Sequence, residues 1–223
     1  MLVEDAWVVV PLYNEAAVVG DVISGLRRSF AHVVCVDDAS RDGSGEVAER
    51  AGARVVRHPV NLGQGAALQT GIDWALADPG TRYVVTFDAD GQHQVADALA
   101  MVERLRSGEA DVVIGSRFLD QRTRVGALKR AVLRAGVVYS NATTGVKMTD
   151  AHNGLRAMTR AVASSLDITQ NRMAHASEIV EQIGSGGWRW VEHPVEILYT
   201  DYSVKKGQSV LNSVNIVTEL IFK

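Results

Sequence analysis

Short apolar runs rich in Val and Ile alternate with amphipathic segments along the first half of the chain. The runs are bounded by Gly, Pro, Asp or Asn, which is typical of strands buried on both faces of a sheet. We predict strands at Ala6–Tyr13, Val33–Asp38, Ala53–His58, Tyr83–Asp88 and Asp111–Arg117. We predict helices between them at Glu15–Arg28, Ser44–Arg50, Gly65–Leu76 and Gln94–Arg106.

This alternation predicts an α/β fold with a mostly parallel, Rossmann-like sheet that carries helices on both faces. Sheets of this kind bind ligands at the carboxyl ends of their strands. Four polar clusters follow the predicted strands directly or nearly so: Asn14–Glu15, Asp37–Asp38, Asn61 and Asp88–Asp90. We therefore expect the functional site at this edge of the sheet.

The segment from residue 119 to residue 150 is different because it carries a basic cluster. Its members, with no acidic residue between them, are Arg122, Arg124, Lys129, Arg130 and Arg134. A helix here would place Arg130 and Arg134 on one face. Such a cluster suits a phosphate or an anionic membrane surface, although a solvated basic face is the ordinary alternative.

Two further elements are predicted nearer the C-terminus. The stretch Gly184–Thr200 has the pattern of a turn followed by strand-like segments around Pro194. Apolar residues from Val210 to Ile221 then recur at helical spacing and predict a short amphipathic helix.

Length and composition narrow the functional classes. A chain of 223 residues fits a single domain, and 47% apolar with 22% charged residues excludes disorder and fibrous repeats. The formal charge of −3 argues against a dedicated nucleic-acid binder. The single cysteine, Cys35, excludes a disulfide framework or a cysteine-based zinc site. We expect a cytoplasmic protein, since the sequence shows no bilayer-length apolar run and no signal sequence.

The sharpest motif is Asp88-Ala89-Asp90-Gly91-Gln92, at the end of a predicted buried strand. The period of two sends Asp88 and Asp90 to the same side. Two carboxylates and a carboxamide oxygen suit Mg²⁺ or Mn²⁺ that also holds diphosphate oxygens. The alternative is a polar turn that caps the helix starting near Gln94.

Three other motifs each have an ordinary structural explanation as well. One carboxylate of Asp37-Asp38 can accept from a nucleobase or ribose, while a capping turn is the simpler interpretation. The glycines of Asn61–Gly65 allow a phosphate to approach the backbone, but a plain helix start explains them equally well. Arg117, at a strand end, faces either the same crevice or the solvent.

Taken in order, these motifs resemble a family 2 glycosyltransferase of GT-A fold. The resemblance rests on Pro11-Leu12-Tyr13-Asn14-Glu15, Val36–Ser44, Asn61-Leu62-Gly63, Asp88–His93 and Gly115-Ser116-Arg117. Within the family the chain is most similar to dolichyl- or polyprenyl-phosphate sugar transferases. Asp150–Arg156 is similar to that branch's D-x-x-S/T-G-F-R segment, and Gly207-Gln208-Ser209 to its late G-x-S motif.

The resemblance implies a nucleotide-sugar donor and a role for each matching residue. It implies that base and ribose are held by Pro11, Tyr13, Glu15, Val36 and Asp38. It implies that Asp88, Asp90 and Gln92 surround a Mg²⁺ or Mn²⁺ ion on the diphosphate, with Ala89 at the same turn. Arg117 would meet phosphate, and Arg130 would face the acceptor phosphate.

The sequence departs from the family pattern at two places. Asn153 stands where Ser or Thr is usual. In the late motif, Val204 and Val210 replace the usual arginine and lysine, and Lys205 and Lys206 supply the charge nearby. We expect the diphosphate clamp of that loop to be weakened or shifted to the lysine pair.

The resulting hypothesis is inverting transfer of a hexose to a polyprenyl phosphate, with a donor half at residues 1–118 and an acceptor half at residues 119–223. An acceptor phosphate is already ionised and needs no general base, and Arg117, Arg130 and Arg134 would orient it. A hydroxyl acceptor would need a base, for which Asp150 and Glu178 are the candidates. A non-catalytic nucleotide-sugar-binding module and a Rossmann dehydrogenase are weaker alternatives.

The resemblance also implies a site of action at the membrane. We expect the protein to lie peripherally at the inner face of the membrane, through the basic segment and the amphipathic C-terminal helix. A single interfacial element binds weakly, so an integral-membrane partner is compatible with this picture.

Overall fold

The structure, a computed structural model, describes residues 2–120, 137, 141, 146–150, 153–171 and 174–199. The described strands are β1 (Val3–Leu12), β2 (Phe30–Asp37), β3 (Arg54–Arg57), β4 (Tyr83–Thr86), β5 (Val112–Ser116), β6 (Arg156–Thr159) and β7 (Trp190–Pro194). The helices longer than one turn are α1 (Val19–Arg27), α2 (Ser44–Arg50), α3 (Gln64–Leu76), α4 (Val95–Arg106), α5 (Arg160–Ser165) and α6 (His175–Ser185).

The seven strands form one sheet in the order β3-β2-β1-β4-β6-β5-β7. The pairs β1–β2, β1–β4, β2–β3 and β5–β7 are parallel, and β6 runs antiparallel to β4 and β5 between them. The predicted α/β fold with a mostly parallel sheet is therefore confirmed.

Alternating side chains of β1 build two separate cores. Val8 and Val10 face the layer formed by α1, α2 and α4, while Trp7 and Val9 face the layer formed by α3, α5 and α6. This division follows from the period of two along a strand, which makes a strand covered on both sides apolar throughout. Because helices cover both faces of the sheet, the polar loops that follow the strands lie at its carboxyl edge.

Two features of the fold differ from the sequence prediction. Helix α1 begins at Val19 rather than Glu15, because the backbone N–H groups of residues 14–16 bond to side chains of the loop after β2. Strand β6 and helices α5 and α6 were not predicted. The polar ends of β6, Arg156 and Thr159, give it no apolar run, and it becomes a strand only by pairing between β4 and β5.

Several predictions concern residues outside the described ranges. They are the basic cluster from Arg122 to Arg134, the lysine pair Lys205 and Lys206, and the amphipathic C-terminal helix. None of the helices in the described part of the chain combines the length and hydropathy that crossing a bilayer requires. The division of the domain at residue 118 stays a prediction.

We expect Gly71→Ala to destabilise the fold, because α3 approaches the sheet closely at this position. A Cβ atom at Gly71 would lie 2.3 Å from Val9 Cγ1 and 3.2 Å from Val36 Cγ2, both inside the sheet. Overpacking of this kind costs about 1–3 kcal/mol. The matched control is Gly25→Ala in α1, where the new Cβ would lie 3.7 Å from Val95 Cγ2. Urea unfolding should rank Gly71→Ala below the wild type and Gly25→Ala level with or above it; the opposite order would contradict this packing.

Candidate active site

A cavity of about 570 Å³ lies at the carboxyl edge of the sheet, above β2, β1 and β4. Its lining comes from the end of β1, the loops after β1, β2, β3 and β4, and the start of α3: Pro11, Leu12, Tyr13, Glu15, Asp38, Asn61, Gly63, Gln64, Ala67, Asp88, Ala89 and Asp90. Parallel strands bring their carboxyl ends to one edge, which is why motifs far apart in sequence meet here.

The loops after β1 and β2 are held together by side chain to backbone hydrogen bonds. Ser40 Oγ accepts from Asn14 N at 3.0 Å, and Asn14 Oδ1 accepts from Arg41 N at 2.9 Å. Asp37 Oδ1 accepts from Ser40 N at 2.9 Å, so this carboxylate caps its own turn, as one interpretation of the motif predicted. Asn14 and Ala39 both adopt positive φ, at 53° and 61°. Non-glycine residues hold this conformation only where the surroundings impose it, so this wall of the cavity is preorganised.

Asp38 is buried and anchors the loop that leads into α3. Its Oδ1 accepts from Leu62 N at 2.8 Å and from His58 Nδ1 at 2.8 Å, and its Oδ2 accepts from Gly63 N at 2.7 Å. A carboxylate that receives two loop amides fixes the position of that loop. Hydrogen bonds to Asp38 thus hold the part of the cavity wall formed by residues 61–63 in place.

Asp88, directly after β4, lies in an electropositive setting. Its Oδ2 bonds to His93 Nε2 at 2.9 Å and its Oδ1 accepts from Gln64 Nε2 at 3.2 Å. Burial alone would raise the pKa of Asp88, but the hydrogen bond from His93 and the nearby charges of His93, Arg156 and His175 hold it below its ordinary value. Asp88 is therefore ionised at neutral pH.

Asp90 has the opposite electrostatic environment. Burial, and next the negative charge of Asp88, raise the pKa of Asp90 to about 6. Gln92, two positions after Asp90, is buried, and its Nε2 has no hydrogen-bond partner in the described part of the chain. Its neighbour His93 likewise has an unpartnered Nδ1 there. The turn thus holds an ionised Asp88 beside an Asp90 that is destabilised as an anion, and a carboxamide whose nitrogen has no partner among the described residues.

Arg117, directly after β5, and Asp150, six residues before β6, form a second polar group. Arg117 donates from Nε and from its backbone N to Asp150 Oδ2, at 2.6 and 3.1 Å. Burial lowers the pKa of Arg117, but the charge and hydrogen bond of Asp150, together with Tyr199, outweigh burial, and the pKa lies above its ordinary value. Asn153 Nδ2 also reaches Asp150 Oδ2, at 3.4 Å.

Arg156 lies between these two groups under the floor of the site. Strand β6 pairs it with Thr86 of β4 and with Ile114 of β5, and its side chain is fully buried. Its charge interacts with both Asp88 and Asp150. One buried cation therefore interacts with both carboxylates, Asp88 after β4 and Asp150 before β6.

The structure brings most of the predicted site residues together. Those that line the cavity are Pro11, Tyr13, Glu15, Asp38, Asp88, Ala89 and Asp90. Val36 is instead fully buried in β2, where its side chain has no access to a ligand, so its contribution stays a prediction. Arg117 meets Asp150 beside the cavity, whereas Arg130, Lys205 and Lys206 lie outside the described residues.

Four side chains that contact or flank the site were not predicted: His58, Gln64, His93 and Arg156. His58 and His93 each follow an element at the carboxyl edge, and that position is a usable signal. Gln64 and Arg156 carry no such signal, because the first opens a helix and the second lies in a strand that only tertiary pairing defines.

Residues 7–166 match the family described as Glycosyl transferase family 2, which covers more than half of the chain. The chain is a family 2 glycosyltransferase. The resemblance predicted from the motifs is thereby confirmed, and the residues around Asp88 and Asp38 lie within the matched region.

Relatives of this glycosyltransferase include a protein of Methanocaldococcus jannaschii named uncharacterized protein MJ1222, which is 34% identical over 99% of this chain and 92% of its own length. Another is the undecaprenyl-phosphate mannosyltransferase of Micrococcus luteus, 31% identical over 92% of this chain and 90% of its own length. Dolichyl- and polyprenyl-phosphate sugar transferases thus occur among the homologues of this glycosyltransferase.

Among solved structures, the glycosyltransferase is similar to glucosyl-3-phosphoglycerate synthase from Mycobacterium tuberculosis in complex with Mn²⁺ and UDP-glucose. The TM-score is 0.73 at 19% sequence identity, over 97% of this chain and 76% of the other. This likeness confirms the predicted GT-A fold.

We expect Gly154→Ala to disturb Asp88 in this glycosyltransferase. A Cβ atom at Gly154 would lie 2.1 Å from Asp88 Oδ2, and the bonds to His93 and Gln64 leave that carboxylate little room to move. If Asp88 ligates a metal, displacing it should weaken Mn²⁺ binding in the presence of nucleotide by about 10–100-fold. Titration calorimetry of this variant, with Gly25→Ala as the control, measures the effect; unchanged Mn²⁺ affinity would contradict it.

Proposed function

We propose that this glycosyltransferase moves a hexose from a nucleotide-diphosphate sugar to a polyprenyl phosphate, with Mg²⁺ or Mn²⁺ bound at Asp88, Asp90 and Gln92. One observation carries the proposal. A single cavity joins the preorganised loops after β1 and β2 to the carboxylate pair after β4. That arrangement suits a nucleoside at one end and a cation-bound diphosphate at the other.

The residues present fit a hard divalent cation. Asp88 is ionised, and Asp90 is destabilised as an anion by burial and by Asp88. An oxygen-rich set of two carboxylates and a carboxamide is the type that Mg²⁺ and Mn²⁺ accept. When bound, the cation would neutralise charge on the departing diphosphate.

A phosphate acceptor is supported by the hydrogen bonds and ion pairs that the two candidate bases, Asp150 and Glu178, already form within the protein. Asp150 is buried and ion-paired with Arg117, and its Oδ2 accepts from Arg117 Nε, Arg117 N and Asn153 Nδ2, which disfavours this oxygen as a base. Glu178 accepts hydrogen bonds from Thr169 N, Thr169 Oγ1 and Gln170 N, at 2.5–3.1 Å. A phosphate acceptor requires no base, and the name of the undecaprenyl-phosphate relative points the same way.

The acceptor phosphate would be met by Arg117 and, from the sequence prediction, by Arg130 and Arg134. Arg117 is held against Asp150, so a phosphate would approach a guanidinium whose orientation is fixed. Lys205 and Lys206 are proposed at the donor diphosphate. Peripheral attachment at the inner face of the membrane, alone or through an integral-membrane partner, completes the proposal.

The test is release of nucleoside diphosphate from UDP-glucose, UDP-N-acetylglucosamine and GDP-mannose, with and without a short polyprenyl phosphate. We expect release that needs the lipid phosphate, stops with EDTA and is lost in Arg130→Ala. The matched control, Arg50→Ala, removes an exposed arginine of α2 and should behave as the wild type. Release with a glycan or small-molecule hydroxyl instead of the lipid would overturn the acceptor assignment. Donor binding without any transfer would favour a binding module.

A further inference from the structure

Glu192, the third residue of β7, anchors a piece of backbone that precedes β6. Its Oε1 accepts from Thr149 N at 2.8 Å, from Thr149 Oγ1 at 2.7 Å and from Asp150 N at 3.2 Å. Strand β7 pairs with β5, and Glu192 stands opposite Ile114 in that register. Hydrogen bonds to a carboxylate are stronger than those between neutral groups, so three of them hold this backbone firmly against the sheet.

The hydroxyl groups of Thr149 and Ser116 connect the same anchor to the end of β5. Because an ionised carboxylate only accepts, Thr149 must donate its hydroxyl hydrogen to Glu192. Ser116 Oγ, which lies 2.6 Å from Thr149 Oγ1, is then the donor in that bond, and it accepts from Phe118 N at 3.3 Å. The hydrogen bonds therefore run in one direction, from Phe118 N through two hydroxyls to Glu192 Oε1.

Arg117 lies at the centre of this network. Ser116 precedes it and Phe118 follows it, and its own backbone N and Nε donate to Asp150 Oδ2 at 3.1 and 2.6 Å. The backbone on both sides of Arg117 and its guanidinium are thus bonded to the two residues that Glu192 holds. Removing the Glu192 carboxylate would leave Arg117 paired with Asp150 but would release the segment that carries Asp150.

We propose that Glu192 is a positioning residue for the acceptor: it fixes Asp150 so that Arg117 presents its guanidinium to the acceptor phosphate. Glu192 does not touch the substrate and acts only through Arg117. A guanidinium binds phosphate in a defined fork geometry, and a displacement of about 1 Å at a positioning group lowers a rate by about 100-fold. This inference rests on the proposed function, because it presumes that Arg117 meets the acceptor phosphate.

The experiment measures kcat/KM for a short polyprenyl phosphate, and in parallel the affinity for UDP and GDP with Mn²⁺, on the full chain. We expect Glu192→Ala to lower this kcat/KM by about 10–100-fold and to leave nucleotide affinity within about twofold of the wild type. Glu192→Gln keeps a carbonyl oxygen that accepts from Thr149 and should recover most of the loss. Thr149→Val removes only the hydroxyl link and should lower kcat/KM by about 2–10-fold, which keeps the test valid if Glu192→Ala does not fold.

A double-mutant cycle separates positioning from a general structural effect. Arg117→Lys keeps the charge but loses the fork and the Nε–H that Asp150 orients. In that background Glu192→Ala should change kcat/KM by no more than about twofold. The matched control is Asp111→Ala, because Asp111 joins the start of β5 to the start of β7 by accepting three hydrogen bonds from Arg189. It loosens the same two strands at their opposite end and should keep the wild-type kcat/KM.

Each outcome decides the assignment. Equal losses from Glu192→Ala in both backgrounds, wild-type kcat/KM in Glu192→Ala, or a matching loss of nucleotide affinity would overturn the positioning role. Transfer to the lipid phosphate by the wild type would still stand in all three cases. A wild type that releases no nucleoside diphosphate in response to the lipid phosphate overturns the proposed function and this inference together. A loss confined to the acceptor and absent from the Arg117→Lys background supports the inference.

Discussion

Asp90→Asn is expected to reduce kcat/KM for sugar transfer by at least about 100-fold, equivalent to about 2.7 kcal/mol of lost transition-state stabilisation. Asparagine keeps the shape of the side chain but removes the negative charge that a divalent cation would need. The neutral side chain also avoids the cost of burying a charge and the repulsion from Asp88. These are the two main causes that raise the pKa of Asp90 to about 6. We therefore expect the folded state to be no less stable than the wild type.

Three measurements check this prediction: Mn²⁺ binding in the presence of UDP or GDP, transfer rates, and urea unfolding. The control is Asp73→Asn, which removes an exposed carboxylate of α3 and should change neither binding nor transfer. Loss of activity together with loss of stability would indicate a structural role for Asp90. Wild-type Mn²⁺ affinity in Asp90→Asn would exclude this carboxylate as a ligand.

Asp150→Ala should cause the largest loss of stability, about 3–5 kcal/mol, because it strands the Arg117 guanidinium in a largely buried position. Asp150 is 2% exposed and accepts from both Nε and the backbone N of Arg117. Removing one partner of such a pair leaves the other charge uncompensated. Replacing both partners, as in Arg117→Met with Asp150→Ala, should cost clearly less than the sum of the single changes.

Urea unfolding of the two single variants and the double variant gives this cycle directly. The control is Glu103→Ala, which breaks the exposed pair between Glu103 and Arg106 in α4 and should cost about 0–1 kcal/mol. An Asp150→Ala variant within about 1 kcal/mol of the wild type would mean that solvent compensates Arg117. Additive single and double variants would mean that Arg117 and Asp150 act independently.

Local sequence pattern was sufficient to predict the parallel part of the sheet. The apolar runs around Val8, Val34, Val84 and Val113 lie in β1, β2, β4 and β5, and α2 and α3 begin within one residue of their predicted positions. This succeeds because burial on both faces makes a strand apolar along its whole length, which is visible without a partner. The topological rule for parallel sheets then placed Asp38 and Asp88 at one edge.

Strand β6 shows where local pattern fails. Its four residues include Arg156, whose charge is buried only because Asp88 and Asp150 approach it from β4 and from the segment after β5. Thr86 Oγ1 likewise donates to Gly154 O, 68 positions away in the sequence. Strand β6 pairs with β4 and β5 only once the sheet has assembled. The residues of β6 by themselves therefore do not predict a strand.

Residue type, periodicity and motif order are enough to predict the family, the parallel strands and the carboxylate pair at Asp88 and Asp90. Which hydrogen-bond donors surround each acidic group depends on the folded chain. Asp150 Oδ2 is ion-paired with Arg117, and Asp38 accepts from His58, Leu62 and Gly63. The reason is physical: a carboxylate's chemistry depends on which donors surround it, and those donors come from segments that meet only when the chain has folded.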